Sequence, residues 1–233
     1  MSGAVGISAQ RRKVIAERAR FLQLSLLNDY HRLHGVQPSN PLDVINPVGA
    51  LESLGYSIAQ GDLGQDLIEG RLVDVAGHID ARHRVVALST KMGREEQFFT
   101  AAHELGHAVL HPYRHGLHRD RPVKGPSMRK SSIEAEADYF ASCFLMPEKQ
   151  VRRRFEWNFL CDSVQLTNEV AFALSGTDEQ SLRSRVRSVR DLTRMLSECV
   201  YFNGNPLIPL KRVFRVSTDA MAIRLEELGL ASL

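Results

Sequence analysis

Two histidines four residues apart, His103 and His107, enclose Glu104 in the stretch Phe98-Phe99-Thr100-Ala101-Ala102-His103-Glu104-Leu105-Gly106-His107-Ala108-Val109-Leu110-His111. On an α-helix, residues four apart lie on one face about 6 Å apart along the axis. Two imidazoles so placed can converge on one Zn2+ with bonds of about 2.0–2.1 Å. Glu104, beside the first histidine, then reaches the water that such an ion holds and can act as its base. The competing account is a buried helix whose histidines merely satisfy local hydrogen bonds. A third ligand separates the two accounts, because catalytic zinc takes three protein ligands and leaves a fourth position to water.

Downstream lies Ser131-Ser132-Ile133-Glu134-Ala135-Glu136-Ala137-Asp138-Tyr139-Phe140-Ala141-Ser142-Cys143-Phe144-Leu145-Met146-Pro147. Its periodicity predicts a second helix with Ile133, Ala137, Phe140 and Phe144 on the buried stripe and Pro147 as the stop. Glu134 and Asp138 stand four apart on the flank of that stripe, so both can face inward. Glu134 then completes the metal shell. Asp138, one turn on, can accept the second N–H of a ligating histidine and hold its orientation. Glu134 also matches a capping box with Ser131, which is its structural alternative. Glu136 is expected to meet water.

The elements that must position these residues are legible around them. Phe98, Ala102, Leu105 and Val109 form an apolar stripe beside the histidines, and Glu95 and Glu96 suit the first turn of a helix. Gly106 is anomalous, because mid-helix glycine costs about 1 kcal/mol relative to alanine. Close approach of another backbone would compensate for it. His111 continues the series but lies about 12 Å along the axis from His103, too far to share its metal. A distal metzincin-type ligand would fall at 113, which is Tyr, so that subclass is excluded.

The run His-Glu-Leu-Gly-His-Ala-Val-Leu-His, followed by Glu-x-x-Ala-Asp-x-Phe-Ala-x-x-Phe-Leu-Met-Pro, resembles the ImmA/IrrE family of bacterial and phage zinc metallopeptidases. The tail from Val216 to Leu230 also resembles that family's usual ending. The likeness covers residues 41–147 and the last twenty, and leaves 1–40 and 150–205 uncovered. It implies zinc ligands at His103, His107 and Glu134 and a catalytic glutamate at Glu104. It further implies, as substrate class, a helix-turn-helix repressor that the enzyme cleaves or otherwise inactivates, and with it roles in transcription regulation and stress response.

With 233 residues, 43% hydrophobic and 24% charged, the chain can bury a real core in one large or two small domains. A net charge of +3 is too small to imply nucleic acid. No run of 18 or more apolar residues suggests a membrane span, and the first residues lack a secretory pattern. Cys143, Cys161 and Cys199 are widely spaced and odd in number, which argues against a disulfide framework or a cysteine zinc site. A reducing compartment, the cytoplasm, is the expectation.

Residues 8–34 read as an amphipathic helix with Val14, Ala19, Leu22 and Leu26 inward and Arg11, Arg12, Lys13, Arg18 and Arg20 near its start. Asn46-Pro47 reads as a helix opening. Tyr56–Ile58 and Arg71–Val75 are strand candidates, and Gly77–Asp80 with Arg84–Leu88 form a hairpin around Ala81-Arg82-His83. An edge strand of such a sheet can hold an extended substrate by backbone pairing. Residues 112–130 form an irregular basic stretch with six Lys or Arg against one Asp, bordering the cleft. An oxyanion donor is needed as water attacks a peptide carbonyl; Tyr113, His115, His118 and Tyr139 are the candidates. Ser181–Leu196 reads as one helix carrying an arginine stripe, Arg183, Arg187, Arg190 and Arg194, taken as a solvated face or a dock for an acidic partner. Trp157 and Phe159, close after Arg152-Arg153-Arg154, read as core, with a partner anchor as the alternative. The helix pair near the end, with Ser217 as N-cap, is too acidic to neutralise phosphates, so direct nucleic-acid binding is not expected.

The expected architecture is α+β: a small antiparallel or mixed sheet packed on zinc-binding helices, with a mainly helical C-terminal region. The expected divisions are an N-terminal helix at 1–40, a metallopeptidase core at 41–150 and a helical region at 151–233. The predicted activity is zinc-dependent proteolysis of a protein partner. The alternative is a zinc-containing regulator that binds a repressor without cutting it. An N-formyl hydrolase is a poorer fit, because such enzymes take a cysteine ligand upstream of the motif and no cysteine precedes Cys143.

Overall fold

A serine opens the first helix and a glycine ends it. Ser8 accepts the Arg11 N–H at 3.2 Å, and Gly35 adopts φ 71°, a left-handed conformation that glycine reaches without strain. The computed structural model describes residues 7–68, 70–112, 117–120 and 131–233. The chain is α+β and divides into two compact units, Met1–Leu145 and Met146–Leu233.

The first unit runs α1 (Ala9–His34), α2 (Pro41–Val44), α3 (Pro47–Ser53), β1 (Ser57–Gly61), β2 (Gln65–Ile68), β3 (Arg71–Asp74), β4 (Gly77–Asp80), β5 (Val85–Ser89), α4 (Arg94–Leu110), β6 (Leu117–Asp120) and α5 (Ser132–Leu145). As expected, Asn46 caps α3 by accepting the Val48 N–H at 3.0 Å, with Pro47 at the first helical position. The predicted hairpin is β4–β5, with Asp80 opposite Val85. Its turn is held by the Asp80 carboxylate, which accepts the N–H groups of Arg82 and His83, each at 3.0 Å.

The main sheet has the order β1-β5-β4-β6 and is mixed. β1 pairs parallel with β5, while β4 pairs antiparallel with both β5 and β6. β5 is therefore interior, and its run Val86-Ala87-Leu88-Ser89 is continuously buried rather than alternating. The expectation of an irregular 112–130 stretch needs correcting at one place. Residues 117–120 return to the sheet as β6 and pair with Gly77–Asp80. Leu117-His118-Arg119-Asp120 has no apolar alternation; the unpaired N–H and C=O groups of a strand edge supply the template instead. β2, too polar to stand out, pairs with the predicted β3.

Helix α4 packs on β4 and β5, α5 packs on α4, and α1 packs on α5. The buried face of α1 is Ile15, Ala19 and Gln23; Ala19 was expected there, whereas Val14, Leu22 and Leu26 are only half-buried. A polar residue belongs there because the last carbonyls of α5 lack intrahelical donors. The Gln23 amide supplies two, donating to the carbonyls of Cys143 at 3.0 Å and Phe144 at 2.8 Å.

The second unit is α6 (Glu148–Phe159), β7 (Val164–Gln165), α7 (Asn168–Ser175), α8 (Glu179–Arg185), α9 (Val189–Glu198), β8 (Tyr201–Phe202), β9 (Asn205–Pro206), α10 (Leu210–Phe214), α11 (Thr218–Glu227) and β10 (Ala231–Ser232). The single helix expected over 181–196 is broken. Ser188 accepts the Asp191 N–H at 3.1 Å while Asp191 accepts the Ser188 hydroxyl at 2.8 Å and the Arg187 N–H at 3.1 Å. This reciprocal cap starts a new helix in mid-pattern. The arginine stripe is not a solvated face throughout either. Arg190 pairs with Glu226, and Arg194 donates to Asp219 at 2.7 Å, so the acidic partner of the stripe is α11 of the same unit. Arg183 pairs with Glu179 one turn back. Trp157, expected in the core, is 74% exposed, whereas Phe159 is buried edge-on to Phe202 at 5.3 Å between centroids. Among the described residues no helix is long and apolar enough to cross a membrane.

Candidate metal centre

The site begins with a missing side chain. A Cβ at Gly106 would stand 3.1 Å from both the Cα and the carbonyl oxygen of Ala137, and 3.3 Å from the Phe140 Cβ. The anomalous glycine of α4 therefore exists so that α5 can approach at backbone distance. That approach brings the histidine face of α4 against the Glu134–Asp138 face of α5. Thr100 to His107 are buried without interruption, and Glu104 is fully enclosed.

His103 Nε2 and His107 Nε2 are 3.0 Å apart. Glu134 Oε2 is 3.2 Å from His103 Nε2, and Glu134 Oε1 is 3.6 Å from His107 Nε2. Ligand atoms on a tetrahedral zinc with bonds of about 2.0–2.1 Å stand about 3.3 Å from one another. The observed separations bracket that value, and two nitrogens and a carboxylate oxygen are donors suited to such an ion. The group His103, His107 and Glu134 can hold a metal. Burial alone pushes the Glu134 carboxyl up, but hydrogen bonds from His103 and His107, with their charge, outweigh it and hold the carboxyl well below the usual glutamate range. The carboxylate is thus anionic at neutral pH, as a ligand must be. The Ser131 cap is present as well, with the Glu134 N–H 3.3 Å from Ser131 Oγ, so the backbone of Glu134 serves the helix start while its side chain turns to His103 and His107.

Asp138 Oδ1 is 2.9 Å from His103 Nδ1, on the ring edge opposite Glu134. Glu104 faces the sheet: a Cβ on Gly77, at the start of β4, would stand 3.4 Å from its Oε1 and only 2.5 Å from the Thr100 Cγ2, so glycine there makes room for Thr100, one turn before Glu104 on α4. Of the oxyanion candidates, Tyr139 has its ring under the Arg12 guanidinium, 4.7 Å from the centroid, against α1. His118 lies in β6 opposite Ile79. Tyr113 and His115 fall outside the described residues.

Three residues reach the site that the sequence did not assign to it. His111, set aside as too distant for the metal, has Nδ1 3.3 Å from His107 Nδ1 and Nε2 3.1 Å from Glu136 Oε2. Glu136, expected in water, accepts Arg11 Nε at 2.9 Å and Arg11 Nη2 at 2.5 Å. The Arg11 hydrogen bond, opposed by burial and aided by His111, holds the Glu136 carboxyl below its ordinary range. The four-residue spacing of His107 and His111 was a usable signal. Nothing in the sequence pointed from Arg11 to Glu136.

Residues 52–160 match the sequence profile of a peptidase family described as the IrrE N-terminal-like domain. The chain is also similar to an uncharacterized immunity region protein 2 of Bacillus phage phi105, with 28% identity over 102 residues, 41% of this chain and 59% of that protein. The match thus spans less than two thirds of the relative's length.

Proposed function

We propose, from the match of residues 52–160 to the IrrE N-terminal-like family of peptidases, that the protein is a zinc-dependent endopeptidase. The observation that carries this reading is the convergence of His103, His107 and Glu134 donor atoms within 4.8 Å of one another, beside an enclosed Glu104. Zinc bound there would supply Lewis acidity, making water more acidic and a peptide carbonyl more electrophilic. Glu104 takes a proton from the attacking water as its oxygen bonds to the carbonyl carbon. The same carboxyl then hands that proton to the leaving nitrogen as the C–N bond breaks, giving a new carboxyl group, which keeps the second proton of the water, and a new amine. Asp138 accepts the Nδ1 proton of His103 and holds that ring with Nε2 toward the ligand cluster.

The substrate we assign is a protein, and within proteins a helix-turn-helix repressor, following the resemblance to the ImmA/IrrE family. The phage relative, an immunity region protein by name, fits that choice. The test is Glu104→Gln, which keeps the size of the side chain and removes its basicity. Zinc stoichiometry should stay at one per chain while cleavage of a co-expressed repressor falls by about 10²–10⁴-fold. Cleavage that persists at the wild-type rate would refute the assignment, and an uncut repressor that co-purifies equally with both forms would point to binding without hydrolysis.

A further inference from the structure

The two histidines of the proposed centre are supported differently. His103 meets a carboxylate directly, through Nδ1 to Asp138 at 2.9 Å. His107 meets another imidazole, His111, whose far nitrogen meets Glu136, whose two oxygens are gripped by Arg11. The ends of that chain dictate its protons. A His107 ring that offers the Nε2 lone pair to a metal carries its proton on Nδ1. That N–H donates to His111 Nδ1, leaving the His111 proton on Nε2, from which it donates to Glu136 Oε2. Arg11, always a donor, fills the remaining acceptor positions of the carboxylate in a two-pronged grip. One tautomer assignment therefore satisfies every link from the ligand cluster to α1.

We infer that His111, Glu136 and Arg11 form a relay of positioning residues that orients His107 and fixes its ligating tautomer, carrying the function of a carboxylate partner across an intervening imidazole. The inference rests on the metal-centre reading above and adds to it that α1, outside the residues matched to the peptidase family, is part of the site's support. His111 and Glu136 sit 10% and 16% exposed at the side chain, so water competes poorly for the link between them. The orienting partner of a ligating histidine typically governs metal affinity by about 10–100-fold.

Zn2+ affinity, measured on the 233-residue chain by competition with a chromogenic chelator, tests this without reference to cleavage. Glu136→Gln and His111→Leu should each weaken Zn2+ binding by about 10–100-fold, and Arg11→Met by about 10-fold, with the apo chains melting near the wild type. His111→Gln, whose amide oxygen can still accept the His107 N–H, should recover most of the affinity lost in His111→Leu. The Co2+-substituted forms should show a changed visible spectrum in His111→Leu and a wild-type spectrum in His111→Gln. Wild-type affinity in Glu136→Gln and His111→Leu would overturn the relay while leaving the centre intact. Affinity loss that only tracks unfolding of the apo chain, with no rescue by His111→Gln, would overturn it too. A wild-type chain that takes up no Zn2+ would overturn the centre itself, and the relay with it.

Discussion

An alanine at 106 sets two known effects against each other. In an exposed helix it would stabilise by about 1 kcal/mol over glycine. Here its methyl would press on Ala137 backbone atoms at 3.1 Å, which cannot swing aside as a side chain can. Overpacking of this kind costs about 1–3 kcal/mol, so the net sign is destabilising. Gly106→Ala should lower the midpoint of thermal unfolding and weaken Zn2+ binding together, because both follow from parting α4 from α5; a rise in the midpoint would contradict the packing described. At this level the sequence was informative wherever one residue needed a special property. Gly106 announced a close approach, and His-x-x-x-His announced a shared face. Glu136 announced nothing, because its meaning lies in Arg11, 125 residues away, and pairing across such a distance leaves no local periodicity.

The helices of the second unit are joined by charge as well as by apolar packing. Glu226 accepts from Arg190 and from Thr193 Oγ1 at 3.1 Å. The Arg190 hydrogen bond holds the Glu226 carboxyl below its ordinary value, against a smaller opposing push from burial. A carboxyl depressed on folding contributes stability that is present above the unfolded-state value and is lost as pH falls through the folded-state value. Glu226→Gln should therefore cost about 0.5–1 kcal/mol at pH 7, and the difference from wild type should vanish in acid, in paired urea titrations at the two pH values. A constant difference would mean that packing rather than charge is responsible. Element boundaries were readable where capping residues stood alone, as at Asn46-Pro47 and Ser217. They were misread at Ser188, where a cap interrupts an apolar rhythm that runs on beyond it. β6 was missed because its pairing is dictated by the partner's edge and not by its own residues.

For the molecule as a whole, a ligand that binds only the folded state adds RT ln(1 + [L]/Kd) to stability, about 4 kcal/mol at a thousandfold excess over Kd. Stripping zinc with a chelator should thus lower the melting temperature of the first unit's transition by about 10 °C, and returning the ion should restore it. An unshifted transition would mean that no ion is held between α4 and α5. The α+β class and the metal-capable group of His103, His107 and Glu134 were legible from motif and periodicity. The place of α1 was not, since an amphipathic helix declares that it will be covered and not by what. Its attachment has a consequence for the order of events in synthesis. The guanidinium of Arg11 leaves the ribosome long before Glu136, the carboxylate it grips, has been translated. Arg11 must wait for its carboxylate while the next 125 residues are made, and only then can α1 close one of the widest loops in its unit. A nascent chain arrested before that point would possess the motif and lack its brace.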